Sequence, residues 1–150
     1  MPDASFTAHA VVWRSADEVW DRLQDAQTWS NIGPVEKVWD AEHDAAGHLT
    51  RYRWSTTVGP RKYRGRADVV DAEPGRMMAL DLDAVEVAGR LTTLLSENGD
   101  GTTHLEVTLF VEAKGMLSTM FFPVVSDAVG RGLPDQVDAF ARSFEHEELE

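Results

Sequence analysis

The sequence predicts an α+β fold: a seven-stranded antiparallel sheet, two short helices after the first strand, and a long C-terminal helix covering one face of the sheet. Three observations carry this expectation. A capped amphipathic segment begins at Ser15 and is stopped by Gly33-Pro34. Six alternating apolar–polar segments then succeed one another with only turn residues between them. Near the C-terminus the period changes, and Leu133, Val137, Phe140 and Phe144 recur at helical spacing. At 150 residues the chain is expected to be one domain spanning 1–150, large enough to bury a core of its own.

Phe6 to Trp13 alternates and holds β-branched and aromatic residues, as a strand requires. Ser15 is an expected N-cap with Glu18 three residues on. In such a capping box the serine oxygen accepts an amide of the first turn and the glutamate reaches back. Asp17 and Glu18 suit the positive end of the helix dipole, and Val19, Trp20 and Leu23 form the buried stripe. Asp25 closes this helix or caps the next, a short turn from Gln27 to Ile32. The remaining strands read as Val35 to Ala41, Leu49 to Val58, Tyr63 to Ala72, Met77 to Asp83, Val87 to Ser96 and Thr103 to Val111. Gly59-Pro60, Glu73-Pro74-Gly75 and Asn98-Gly99-Asp100-Gly101 turn the chain, so the sheet is an antiparallel meander. From Met116 to His146 the pattern is helical, with Pro123 and Pro134 interrupting it. A break is expected near Gly132-Pro134, with regular helix from Pro134 to about Glu147.

Strand parity assigns the faces. Tyr52, Trp54, Thr56 and Val58 share one side of their strand, and Arg51, Arg53, Ser55 and Thr57 the other. Tyr63, Gly65, Ala67 and Val69 oppose Lys62, Arg64, Arg66 and Asp68. Met78, Leu80 and Leu82 fall inward, as do Leu91, Thr93 and Leu95, and then Leu105, Val107, Leu109 and Val111. One side of the sheet is therefore wet, and the C-terminal helix is the element available to cover the other. The covered face mixes aromatic, hydroxyl and small residues. That mixture fits a ligand cavity with a few polar handles, and it also fits a filled core whose Tyr and Trp reach partners at the rim.

The net charge of −12 argues against a nucleic-acid binder, since phosphate contacts need a basic surface. The charge is uneven: six of the fourteen Lys and Arg lie between Arg51 and Arg66. Such a run is a solvated hairpin face or a surface for an anionic partner. With no cysteine, disulfides and thiolate chemistry are excluded. No signal peptide is expected at the N-terminus, and no membrane span, because no stretch approaches about 18 apolar residues. The expected location is cytoplasmic. The five histidines form no HxH or HExxH pair, which argues against a metal site. No GxSxG or P-loop pattern is present.

One stretch also resembles a known family. Ser15-Ala16-Asp17-Glu18-Val19-Trp20 with Leu23, then Asp25, Trp29, Ile32-Gly33-Pro34-Val35 and Val38, is similar to the START-like, or Bet v 1-like (SRPBCC), superfamily. Within it the likeness is to the polyketide cyclase/dehydrase and lipid transport branch. Element order agrees over the whole chain, while residue-level likeness is confined to the first forty or so positions. Asn31-Ile32 departs from the pattern, where many members carry a second tryptophan or a phenylalanine. The resemblance implies a helix-grip fold: a strongly curved sheet wrapped around the C-terminal helix, with a deep cavity between them. It implies a small hydrophobic or amphipathic ligand (lipid, polyketide or aromatic) and no cofactor.

The residues expected to contact that ligand are Trp29 at the cavity mouth, Tyr52, Trp54 and Tyr63 on the adjoining strands, and Met78 and Leu80 beside them. Leu91, Thr93 and Val107 complete the set. Met116, Met120, Phe121 and Val124 offer an adaptable lining at the start of the helix. The expected function is binding or transport of the ligand. A rival is a polyketide aromatase/cyclase using Tyr52, Tyr63 or Thr93, or an arginine turned inward by a β-bulge. A third reading is a protein-interaction module using the outer Arg51, Arg53, Arg64 and Arg66, with a filled interior.

Overall fold

The computed structural model describes residues 3–30, 32, 35–58, 60–84, 87–114, 127 and 130–144. Seven strands form one antiparallel sheet: β1 (Asp3–Val12), β2 (Lys37–His43), β3 (Leu49–Val58), β4 (Arg61–Glu73), β5 (Met77–Ala84), β6 (Val87–Glu97) and β7 (Thr103–Ala113). Their order is β1-β7-β6-β5-β4-β3-β2, so β2 to β7 form a meander and β1 closes against β7. Helix α1 (Ala16–Leu23) and a 3₁₀ turn (Ala26–Ser30) lie between β1 and β2. A second helix, α2, covers residues 130–144. This is the expected helix-grip architecture.

The α1 cap is half of the expected box. The amide of Glu18 donates to Ser15 Oγ at 3.3 Å, but the Glu18 carboxylate turns to Arg14 instead, 3.3 Å from its Nε. The Ala16 amide is taken by Glu97 of β6 at 3.1 Å, which ties the helix start to the sheet. Asp25 caps the 3₁₀ turn, its carboxylate accepting from the Gln27 amide at 3.0 Å.

Two expectations are corrected. Strand β2 starts and ends two residues later than its sequence pattern. A register shift between Trp39 and Glu42, with Asp40 at φ 53°, carries pairing past Ala41 to His43. Helix α2 runs unbroken through Gly132 and Pro134. Proline at 134 removes the bond to the residue 130 carbonyl, yet Leu133, Val137, Phe140 and Phe144 are all buried. Burial of that stripe holds the helix across the missing bond. The approach to the sheet is close: a Cβ on Gly130 would overlap the Phe6 ring of β1. Pro123 and the methionine-rich segment from Met116 to Val124 lie outside the described residues.

Parity holds across the sheet. Register aligns Met78, Thr93, Val107 and Ala8 in one inward row, and Val69, Leu80, Leu91, Leu109 and Phe6 in the next. A third row runs Tyr52, Ala67, Leu82, Gly89 and Val111. These rows and the α2 stripe form one core with Val19, Trp20, Leu23 and Trp29. Arg51, Arg53, Arg64 and Arg66 are exposed on the opposite face, so no bulge turns any of them inward.

Candidate functional site

The inward rows form a wall. Tyr52, Trp54, Tyr63, Met78, Leu80, Leu91, Thr93 and Val107 all point to it and all are buried. Trp54 needs space that its neighbours supply. It sits opposite Gly65, and a Cβ there would lie 2.5 Å from the Trp54 ring and overlap the Asp83 carbonyl. The glycine lets the indole lie flat on β4.

The wall is apolar with few polar atoms, and two of these are orphans. Trp54 Nε1 and Thr93 Oγ1 are buried without a hydrogen-bond partner among the described residues. An orphan of this kind costs about 1–3 kcal/mol. The Tyr52 hydroxyl stands in the same wall, and burial pushes its pKa well above the ordinary tyrosine value. It is a neutral donor at physiological pH and not a base. The inward positions of β5 to β7 between residues 78 and 95 and between 103 and 113 carry no ionisable side chain.

Trp29 differs from its expected place. It is fully buried rather than at a rim, and its indole N–H donates to the Leu23 carbonyl at 2.9 Å. The ring props the 3₁₀ turn against the end of α1. Gln24, which carries no motif, emerges beside it. Its side-chain amide donates to the Trp20 carbonyl at 3.2 Å and approaches Met78 Sδ at 3.8 Å. Its oxygen accepts from the Leu49 amide at 2.9 Å. One side chain thus fastens α1 to β3 and β5. A polar residue just past the helix stripe was its only signal.

On the other side of α1, a groove of about 680 Å³ separates α1 and the 3₁₀ turn from α2, lined in part by Arg22, Thr28, Gln136 and Phe140. Gln136 Oε1 is buried there without a partner among the described residues, and the Arg22 guanidinium lies 4.3 Å from the centre of the Phe144 ring. Two of the five histidines also meet: His9 Nδ1 and His104 Nε2 are 3.2 Å apart on the outer face. Among the described residues no third ligand joins them to hold a metal. No described helix is long and apolar enough to cross a membrane.

These features can be set beside known proteins. The chain is similar in structure to the Zhui aromatase/cyclase from a Streptomyces strain, with 18% identity, a TM-score of 0.74, and 98% of this chain and 96% of that chain covered. A Thermus thermophilus protein matches at 11% identity and a TM-score of 0.75, covering 96% of this chain and 99% of the other. A START superfamily protein from Mycobacterium smegmatis matches at 14% identity and a TM-score of 0.61, covering 86% and 96%. At these identities the likeness is one of fold. No curated protein matches the chain in sequence. The family model described as polyketide cyclase / dehydrase and lipid transport matches residues 3–145. The chain therefore belongs to the polyketide cyclase / dehydrase and lipid transport family.

Proposed function

We propose that this protein binds a small hydrophobic or amphipathic molecule between the inner face of the sheet and α2. One observation carries the reading: Trp54 Nε1 and Thr93 Oγ1 are buried, without a hydrogen-bond partner among the described residues, and set in a mostly apolar wall. A filled core selects against such atoms. A ligand with an apolar body and an oxygen acceptor relieves both costs, taking a hydrogen bond from the indole and exchanging one with the hydroxyl. Ketone-bearing aromatics and fatty acids both meet that description.

The test is displacement of a fluorescent naphthalene probe by fatty acids, sterols and aromatic polyketides. Trp54→Phe keeps an aromatic ring in the wall and removes the indole N–H together with part of the ring that covers Gly65. It is expected to weaken a carbonyl-bearing ligand about 3- to 10-fold more than a pure hydrocarbon, the difference being the worth of one hydrogen bond. Equal loss for both ligands, or no displacement by any class, overturns the reading.

A second reading is supported by Tyr52. A neutral, desolvated phenol donor in an apolar wall can polarise a ketone, the requirement for cyclising a poly-β-ketone chain. The fold shared with an aromatase/cyclase supports testing it. It predicts that Tyr52→Phe or Tyr63→Phe changes the product profile with a poly-β-ketone substrate. Unchanged products after both substitutions leave binding as the function.

A further inference from the structure

The outer face of the sheet carries a feature that the interior site does not use. A groove of about 630 Å³ crosses β2 to β5 there, lined in part by Trp39, Arg53, Arg64, Arg66, Asp83 and Lys114. Lys114 and Asp83 pair at 2.6 Å and cancel, which leaves the three arginines. Arg53 and Arg66 stand directly opposite each other in register, a placement in which like charges repel. Arg64 shares their face two residues along β4 and makes no ion pair among the described residues. The compensation nearby is thin. Arg53 has Asp40 at 3.8 Å, with both side chains more than half exposed. Arg66 shares the single carboxylate of Asp68 with Arg51. Trp39, opposite Arg53, is 37% exposed. The chain as a whole has 26 acidic and 14 basic residues, so cations gathered here are not the drift of composition.

We propose that this groove is a docking surface for an acidic segment of another protein. The charge it presents is opposite in sign to the rest of the molecule, and an anion lying between the opposed arginines adds to the thin compensation that Asp40 and Asp68 supply. The dispersion of the cations selects the occupant. They lie on two adjacent strands, β3 and β4, and extend about 7 Å along β4, and all are exposed. A single phosphate requires donors converging on one buried point. A bilayer does not enter a concave groove. A nucleic acid duplex meets the repulsion of a chain at −12. A carboxylate-rich helix or loop spreads its charge over the same span, and its apolar flank meets Trp39.

The experiment uses the full chain and a labelled glutamate-rich helical peptide, followed by fluorescence anisotropy at low and at physiological salt. The peptide is expected to bind, more weakly as salt rises, and Arg53→Glu with Arg66→Glu is expected to weaken it at least about tenfold. Arg76→Glu, a reversal on the exposed β4–β5 turn, is expected to change it less than about twofold. Arg53→Gln supplies a readout that a merely structural arginine would not give: it weakens the peptide while raising the melting temperature of the free protein. It also serves if the double reversal fails to fold. Probe displacement from the interior stays at its parent value throughout, so this surface and the interior site stand or fall separately. An equal loss on Arg76→Glu overturns the proposal. So does saturation by inorganic phosphate, phosphatidylglycerol vesicles or duplex DNA in place of the peptide.

Discussion

Thr93 is the residue at which stability and binding are expected to oppose each other. Its hydroxyl is buried without a partner among the described residues, between Met78 and Val107 in register. Thr93→Val replaces the orphan with a methyl of similar size, and the free protein is expected to gain about 1 kcal/mol, or roughly 2–4 °C in melting temperature. The same variant is expected to lose affinity for an oxygen-bearing ligand. A melting temperature that falls would show that the hydroxyl is satisfied in the free protein. Gly65 is the opposite case. Its missing Cβ is occupied by the Trp54 ring and approached by the Asp83 carbonyl, so Gly65→Ala is expected to destabilise by about 1–3 kcal/mol through overpacking, read by urea unfolding. Both residues were legible as inward by parity. That one is an orphan and the other a platform depends on side chains from other strands, which no spacing within a strand records.

At the scale of elements, α2 shows what burial does to local rules. The glycine and proline at 132 and 134 read as a break, and the helix continues through them. Pro134 is exposed, so Pro134→Ala restores a backbone donor without touching the core and is expected to stabilise by about 1–3 kcal/mol. Phe140→Ala removes part of the stripe that holds the helix down and is expected to cost about 3–5 kcal/mol. Thermal unfolding of the two variants checks both signs. Strand β2 shows the reverse dependence. It is an edge strand with only Val38 buried, and its ends follow a register shift at Asp40, because little burial disciplines them. Strand β3, inside the sheet, begins and ends where its pattern does.

At the scale of the molecule, acid should loosen the basic face. Burial raises the Asp68 carboxyl, but hydrogen bonds and charge from Arg51 and Arg66 outweigh it and hold the pKa below the ordinary value of 3.8. The folded value lies below the unfolded one. The stabilisation is therefore present above about pH 4 and is lost as pH falls through the lowered folded value. Asp44 and Asp100, lowered by turn hydrogen bonds, act in the same direction. Asp68→Asn is expected to flatten the fall in stability below pH 4, measured by urea unfolding at pH 3 and pH 5. An unchanged slope would place the acid sensitivity elsewhere.

Strand count, strand order in the chain, the wet and covered faces and the α2 stripe were determined by the sequence. Each follows from a period of hydrophobic residues along one segment, and a period is a local property. Tertiary structure decided the rest: that Trp29 is an internal prop, that Gln24 ties three elements, and that Arg53 and Arg66 stand opposed. It also decided that Trp54 Nε1 and Thr93 Oγ1 have no hydrogen-bond partner among the described residues. These are relations between residues far apart in the chain, and only the register and the packing of helices on the sheet bring them together.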